Sequence, residues 1–275
     1  MTIQDLVKGR PLDGRTVVIT RALEQSLSFA AELERLGARV ISCPTIEIVE
    51  PESYDLLDEA IENLYGYDWL IFTSVNGVTH FLRRFATREH VVHELDDLRV
   101  CAIGEATAAS LRDAHVHVDV VPEQAQAEGV LAALRNFLGG NEAFKSLNFL
   151  IPRAAIARDF LPSELEEAGA RVDVVPCYRT VKPKSSDLGR VTALLEGGAV
   201  DCIAFTSSSS VTNFSQLLDT SDLGRLLHGV AIACIGGITA STAIQHGLHV
   251  DIESAQHTIN ALAAAITTYF KATTT

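Results

Sequence analysis

The sequence is poor in the features that mark specialised protein classes. It has one tryptophan, one methionine and eight prolines, and no apolar run approaches the roughly 20 residues of a membrane-spanning helix. Residues 1–15 lack the long apolar core of a secretory signal, so we expect a cytoplasmic protein that does not enter a membrane. With 275 residues, of which 47% are hydrophobic and 21% charged, the chain suits one large folded domain or two smaller ones.

The sequence also lacks the motifs of metal, redox and nucleotide sites. It contains no CxxC pair, no HExxH, no P-loop, no GxSxG and no GxGxxG after the first predicted strand. The histidine pairs His90/His93 and His115/His117 are typical of surface or turn residues. We therefore expect no metal and no cofactor. The five cysteines fall mostly in apolar strand-like segments and are expected to be buried, reduced thiols; they are Cys43, Cys101, Cys177, Cys202 and Cys234.

Basic residues are few relative to acidic ones. The chain has 22 Lys and Arg against 35 Asp and Glu, which gives a formal net charge of −13. Nucleic acid would be repelled by this charge, so we expect no nucleic-acid partner.

The second half of the chain repeats the first. The clearest matches pair 17–21 with 149–153, 37–40 with 169–172, 68–74 with 201–207, and 102–104 with 234–236. The offset is nearly constant, since 153 − 21 = 132, 169 − 37 = 132 and 207 − 74 = 133. So many matches at one spacing indicate a tandem duplication.

Each copy alternates short apolar runs with segments of helical period. Phe29, Leu33 and Leu36 lie on one helical face, and Gly37 is expected to end that helix in a left-handed conformation. Such alternation predicts an α/β fold of two similar domains, each a roughly five-stranded parallel sheet with helices on both faces. The expected strands are 16–20, 39–43, 68–73, 99–103 and 116–121, then 147–152, 171–175, 201–206, 230–235 and 249–252, and the last helix is 257–270.

Two longer extended segments, about 38–51 and 170–184, occupy equivalent places in the repeat, and each contains an internal proline. We interpret them as a two-stranded linker between the domains. The first domain is then discontinuous, with residues 1–44 and 177–275, and the second contains residues 45–176.

The ordered motifs resemble those of the uroporphyrinogen-III synthase family from about Gly14 to Phe270. They are Thr20-Arg21, Phe72-Thr73-Ser74-x-Asn76-Gly77, Ile103-Gly104-x-x-Thr107-Ala108, Pro152-Arg153, Cys177-Tyr178-Arg179-Thr180, Phe205-Thr206-Ser207-Ser208-Ser209 and Ile235-Gly236-x-x-Thr239-Ala240. The resemblance implies a cofactor-free lyase that closes hydroxymethylbilane into uroporphyrinogen III, with loss of water and inversion of ring D. We expect a monomer with this small-molecule substrate. The family's two domains face a central cleft.

The resemblance also implies the site residues. Tyr178 is the expected catalytic residue. The expected substrate-binding residues are Thr20, Arg21, Ser74, Asn76, Gly104, Thr107, Arg153, Ser207, Ser208, Ser209, Gly236 and Thr239. Most follow a predicted strand and precede a helix, where ligands bind in parallel sheets and where helix N-termini favour carboxylates. Neutral donors of this kind would allow an acidic protein to bind a substrate with eight carboxylates. Arg179 and Lys182 are further candidate cations.

Simpler roles compete with these assignments. Thr20, Ser74 and Ser207 also suit helix N-caps, and Gly104 and Gly236 suit turns. Arg21 and Arg153 suit surface ion pairs, and Tyr178 suits packing with a wet hydroxyl. The alternative function is a hinged two-domain cytosolic binding or sensor protein.

Overall fold

The computed structural model describes residues 10–183, 187–218 and 223–273. They divide into two compact α/β units. The first unit contains the chain up to Glu47 and from Val181 onward, and the second contains Ile48–Thr180. The chain passes from one unit to the other at 47/48 and back at 180/181, three and four residues beyond the boundaries expected from the sequence. Tyr178 is therefore part of the second unit.

The described residues form ten strands, eleven α-helices and three short 3-10 helices. The strands are β1 (Thr16–Ile19), β2 (Arg39–Ser42), β3 (Glu47–Val49), β4 (Trp69–Phe72), β5 (Arg99–Ala102), β6 (Asn148–Ala154), β7 (Arg171–Val181), β8 (Cys202–Phe205), β9 (Ala231–Cys234) and β10 (Ile252–Glu253). The helices are α1 (Leu23–Arg35), α2 (Asp55–Glu62), α3 (Val75–Thr87), α4 (Glu105–Asp113), α5 (Ala127–Leu138), α6 (Phe160–Glu167), α7 (Asp187–Glu196), α8 (Ser208–Leu218), α9 (Leu223–Leu226), α10 (Gly237–Gln245) and α11 (Ile259–Thr273).

Two five-stranded sheets organise the fold, as the duplication predicts. The first has the order β10-β9-β8-β1-β2, and each of its pairings is parallel. The second has the order β3-β7-β6-β4-β5, in which β7, β6, β4 and β5 pair in parallel. The expected α/β class with two sheets of about five strands is confirmed.

One predicted strand, 116–121, does not form. Only an isolated parallel bridge joins Val120 to Cys101. The carboxylate of Asp119 accepts the N–H of Val100 at 2.8 Å, and Asp251 makes the equivalent contact with the N–H of Ile232 at 2.9 Å in the first unit, where β10 does form. The fifth strand of the second sheet is instead β3, which the sequence placed inside the extended segment 38–51. This segment is interrupted between β2 and β3, whereas β7 is continuous over 11 residues.

Both faces of each sheet are covered. In β1, Val17 and Ile19 pack with α1 and α11, while Val18 packs with α7, α8 and α10 on the other side. In β4, Trp69 and Ile71 likewise face one core and its alternate residues face the other. Strands buried on both faces read as continuous apolar runs rather than as alternating ones.

Local signals in the sequence explain where the helices end and begin. Helix α1 ends just before Gly37, which adopts a φ of +104°. That left-handed conformation favours glycine because it has no Cβ. No helix within the described ranges is long and apolar enough to cross a membrane.

Candidate functional site

The expected binding residues of the first unit meet at one edge of its sheet. Because all its pairings are parallel, the carboxyl ends of β1, β8 and β9 lie on the same side. Thr20 follows β1 directly, Ser207 comes two residues after β8, and Gly236 comes two residues after β9. The sequence motifs are therefore neighbours in space although they are far apart in the chain.

A cavity of about 400 Å³, here called the basic cavity, opens at this edge. It brings together four of the expected residues, Thr20, Arg21, Ser207 and Ser209. Ten further residues line it: Ala22, Thr45, Ile46, Thr206, Ser210, Asn213, Ile235, His257, Thr258 and Ile259.

Thr20 has a structural task in this cavity. Its side chain is fully buried, and its hydroxyl donates to the carbonyl of Ala204 at 3.0 Å. Its own carbonyl accepts from the hydroxyl of Thr45 at 3.1 Å. Thr20 is thus not an N-cap, since α1 is preceded by Ala22. It ties β1 to β8 and to the segment after β2.

The serine run at the start of α8 forms a capping network. Ser207 Oγ accepts the N–H of Ser210 at 3.1 Å, and Ser210 Oγ donates to the Ser207 carbonyl at 2.6 Å. Ser209 Oγ lies 3.0 Å from Ser207 Oγ, and Ser208 Oγ donates to the Ile238 carbonyl at 3.2 Å. The capping role expected for Ser207 is present, and it leaves the partly positive N-terminus of α8 beside the cavity.

The charge of the basic cavity is unusual for this chain. Among the side chains that the structure describes, its lining contains Arg21 and His257 but no aspartate or glutamate. A cavity of about 630 Å³ in the second unit is lined by Asp119, Glu123 and Glu128, and another of about 740 Å³ by acidic residues together with Arg171. Burial lowers the pKa of Arg21, although a guanidinium stays charged at neutral pH.

Gly104 and Gly236 leave space that neighbouring side chains occupy. Both have extended backbones, with φ of −175° and 168°, which any residue adopts. A Cβ at Gly236, however, would lie 2.3 Å from Cδ2 of His257, and one at Gly104 would lie 2.8 Å from Cβ of Ala125. Each glycine therefore leaves room for a later loop to pack against it, the loop with Ala125 at Gly104 and the loop with His257 at Gly236.

Thr107 and Thr239 occupy the first turns of α4 and α10. They are only 4% and 5% exposed. Among the described residues, neither hydroxyl has a hydrogen-bond partner. Their oxygens are not among the fully buried side-chain atoms that lack a partner, so water or a ligand can reach them.

The second unit places Tyr178 in a cluster of polar groups at the start of α3. The Tyr178 hydroxyl lies 3.1 Å from Ser74 Oγ and also hydrogen-bonds the side chain of Asn76. Ser74 is the N-cap of α3 and accepts the N–H of Gly77 at 2.9 Å. Burial raises the pKa of Tyr178, and these hydrogen bonds oppose the rise in part. Tyr178 is therefore a neutral donor at physiological pH.

His80 completes this cluster. Its ring stacks on Tyr178 with the centroids 5.4 Å apart, and its side chain is 6% exposed. His80 Nδ1 lies 2.7 Å from an Arg83 nitrogen. Because arginine only donates, Nδ1 is the acceptor and the imidazole carries its proton on Nε2. Nearby, Cys177 donates to the Arg153 carbonyl at 3.4 Å, and burial raises the pKa of this thiol to about 12.

Arg153, the repeat counterpart of Arg21, forms its contacts with other residues of the protein. Its guanidinium donates to the Arg158 carbonyl at 2.7 Å and forms an ion pair with Asp159. The ion-pair role expected from the sequence is present here. Arg179 pairs with Glu52 at 2.9 Å and Lys182 is exposed.

Several residues of the basic cavity and of the Tyr178 cluster escaped the sequence argument, chief among them His80, Asn213 and His257. The repeat contains the signal for the first two, since 213 − 80 = 133, and each lies six residues after a capping serine. His257 has no such signal because its counterpart is alanine. In the ranges described, no group of three or more His, Cys, Asp or Glu side chains is arranged to hold a metal ion.

Comparison with known proteins gives consistent matches. A family model described as uroporphyrinogen-III synthase HemD matches residues 28–264. A uroporphyrinogen-III synthase of Synechococcus elongatus is 33% identical over 269 residues, covering 96% of this chain and 99% of the relative. One from Chlorobaculum parvum is 29% identical over 239 residues, covering 86% of this chain and 92% of the relative.

Solved structures show the same fold. A mutant uroporphyrinogen III synthase from Thermus thermophilus aligns with a TM-score of 0.63 at 17% identity, over 94% of this chain and 99% of that one. A uroporphyrinogen-III synthetase from Helicobacter pylori aligns with a TM-score of 0.57 at 18% identity, over 92% of this chain and 99% of that one.

Proposed function

The chain belongs to the uroporphyrinogen-III synthase family, whose members close hydroxymethylbilane into uroporphyrinogen III, and we propose that its basic cavity and its Tyr178 cluster perform that reaction. The cavity binds substrate carboxylates, and Tyr178 assists loss of the hydroxyl group. The protein acts as a cytoplasmic monomer without metal or nucleotide.

The observation that carries the proposal is the set of groups that line the basic cavity, which includes no acidic side chain among the residues that the structure describes. The chain has 35 acidic residues and a net charge of −13, so a substrate with eight carboxylates is repelled by most of its surface. The lining instead offers the Arg21 guanidinium, serine hydroxyls and the N-terminus of α8. These are the groups that bind carboxylates well.

Tyr178 supplies the proton or strong hydrogen bond that the first step needs. In that step the C–O bond of the ring A hydroxymethyl group breaks, and the oxygen takes the phenol proton and leaves as water. The cation that remains gives up its pyrrole N–H proton, which restores the phenol and leaves an azafulvene. Ring D attacks it through its substituted carbon, and the spiro-pyrrolenine formed then fragments and recloses with ring D inverted. A buried phenol with a raised pKa keeps its proton until the leaving oxygen accepts it.

Ser74 and Asn76 hold the phenol for this task. Ser74 is fixed because it caps α3, and Asn76 lies in the first turn of the same helix. The hydroxyls of Thr107 and Thr239, which lack partners among the described residues, are further contacts for substrate. In this proposal Gly104 and Gly236 permit close packing of the loops that frame these contacts.

The test is the isomer of the product. Fresh hydroxymethylbilane closes spontaneously to uroporphyrinogen I, so the protein is incubated with it, without added metal or nucleotide, and the type III to type I ratio is measured after oxidation. We expect mainly type III. A ratio equal to that of the protein-free control contradicts the proposal, and unchanged bound bilane indicates a binding protein instead.

A further inference from the structure

The ring of Tyr178 rests against a buried histidine, and we infer that His80 is a positioning residue that holds the phenol in the orientation that the reaction needs. This inference rests on the proposed function and deepens it, because it names a residue that acts on the reaction through Tyr178. His80 transfers no proton to the substrate.

A bulge directs the Tyr178 side chain toward α3. The register between β6 and β7 shifts between Arg153 and Ala154, where the pairing skips Cys177. Consecutive side chains of a regular strand point to opposite faces of the sheet, yet Cys177 and Tyr178 belong to the same core cluster as Phe81 of α3. The bulge therefore re-aims the phenol, as bulges beside active sites often do.

Three kinds of contact then hold Tyr178. Its carbonyl accepts the N–H of Ala155 at 2.9 Å, which fixes the backbone, and its hydroxyl hydrogen-bonds the side chains of Ser74 and Asn76. His80 supports the face of the ring, with the centroids 5.4 Å apart and an angle of 29° between the ring planes. The hydroxyl oxygen lies at the far end of the ring, so a tilt of the ring displaces it. A misplacement of about 1 Å at a reacting group can cost about 10²-fold in rate.

The imidazole of His80 is itself held in place. His80 lies on the buried face of α3 and is 6% exposed. A side-chain nitrogen of Arg83, one turn further along the helix, lies 2.7 Å from Nδ1 of His80 and donates to it. Site residues keep their geometry when the side chains behind them are fixed by packing and hydrogen bonds. Arg83, His80 and Tyr178 thus form a line of support that ends at the phenol.

The first unit has neither ring at the equivalent positions. Tyr178 corresponds to Ile46, because 178 − 132 = 46, and His80 corresponds to Asn213, because 213 − 80 = 133. Ile46 and Asn213 line one cavity, so the two positions lie close together in that unit as well. The phenol and the imidazole therefore occur together in one unit and are both replaced in the other, as expected if the imidazole serves the phenol.

A packing role is the competing explanation, since an imidazole also fills space in the core. The two roles differ in how they combine with Tyr178→Phe. Loss of packing lowers the melting temperature, and any effect on kcat is the same whether or not the hydroxyl is present. Loss of positioning lowers kcat only when there is a hydroxyl to position. A double-mutant cycle measures this difference.

The experiment replaces His80 by Leu and by Phe, each in wild type and in the Tyr178→Phe background. Both substitutions fill the buried position with an apolar side chain, but only Phe presents a flat ring to Tyr178. Arg83→Met, at an exposed residue, removes the contact with Nδ1 without changing the core. The matched control is His90→Leu, which removes a histidine of the same unit whose ring stacks on Phe85 at 4.9 Å. For each variant kcat, KM for hydroxymethylbilane and the melting temperature are measured.

We expect His80→Leu to lower kcat about tenfold and to leave KM within about twofold of wild type, because positioning of the phenol affects the chemical step and not the binding of carboxylates. His80→Phe restores the flat ring, so its kcat should lie within about threefold of wild type. Arg83→Met should lower kcat about threefold. In the Tyr178→Phe background, His80→Leu should change kcat by less than about twofold. His90→Leu should match wild type.

The inference alone is overturned if the protein makes type III product and His80→Leu has the kcat of wild type, or loses the same factor in the Tyr178→Phe background. A kcat of His80→Phe no higher than that of His80→Leu also overturns it. If His80→Leu does not fold, an unchanged kcat for Arg83→Met is the decisive contrary result. Failure of wild type to make type III product overturns the proposed function.

Discussion

Ser74 Oγ lies 3.1 Å from the Tyr178 hydroxyl while it also accepts the N–H of Gly77 at the start of α3. One serine thus fixes both a helix terminus and the position of the phenol. This double contact allows the structural and chemical roles of the site to be separated by experiment.

The phenol hydroxyl itself is the first target. Tyr178→Phe should fold with a melting temperature near that of wild type, because Ser74 keeps its bond to Gly77 and the ring keeps its stacking on His80. Its kcat should fall about 10²-fold, the lower end of the range for a positioned general acid, because the electron-rich pyrrole already stabilises the azafulvene. Tyr65→Phe, at an exposed tyrosine of the same unit, is the matched control. Turnover of Tyr178→Phe within about twofold of wild type removes Tyr178 from the mechanism.

The raised pKa of Tyr178 predicts how activity depends on alkaline pH. Because burial keeps the proton on the folded protein above the ordinary tyrosine pKa of about 10, Tyr178 should not reduce kcat between about pH 8 and pH 10. Through the same raised pKa, Tyr178 makes a contribution to the free energy of unfolding. It is fully present below about pH 10 and is lost as pH rises through the folded pKa, because the unfolded chain ionises first. The difference in 295 nm titration between wild type and Tyr178→Phe measures this directly, and ionisation of Tyr178 before pH 10 contradicts it.

Two substitutions at Ser74 separate the cap from the chemistry. Ser74→Ala loses the cap and the contact with Tyr178, so we expect a loss of about 1 kcal/mol in the free energy of unfolding together with lower turnover. Ser74→Asp restores the cap but places a carboxylate beside Tyr178, where it repels the substrate. Thermal unfolding and the kinetics of both variants distinguish the capping role of Ser74 from its role beside Tyr178. If Ser74→Asp recovers activity along with stability, the serine acts only as a cap.

The hydroxyls of Thr107 and Thr239 provide a nearly isosteric test. Thr→Val at either position removes a nearly buried hydroxyl without a partner among the described residues, so the free energy of unfolding should stay within about 0.5 kcal/mol of wild type or increase. If these hydroxyls contact substrate carboxylates, KM should rise about tenfold for each. Thr192→Val in α7 is the control, since that hydroxyl already donates to the Leu188 carbonyl at 2.9 Å. An unchanged KM for both variants excludes substrate contact.

The sequence by itself determined the duplication and the class of fold. Apolar runs such as 69–72 and 202–205 are buried on both faces, as expected of parallel strands in a sheet that is covered on both sides. The offset of 132 or 133 residues allowed the elements of each half to be predicted from those of the other. The order of the motifs was sufficient to indicate the family. Helix α1 ends before Gly37 as expected, because few residues other than glycine adopt the left-handed conformation found there.

Other features were settled by contacts between distant residues. Residues 116–121 have the apolar character of a strand, but only an isolated bridge between Val120 and Cys101 forms there. The motif Thr20-Arg21 and its counterpart Pro152-Arg153 look equivalent, yet Arg153 is paired with Asp159, whereas Arg21 lines the basic cavity. His257 joins that cavity only because Gly236 leaves room for its ring. Local patterns fix strands and helices, whereas the charge and shape of a cavity depend on side chains that meet only in the folded chain.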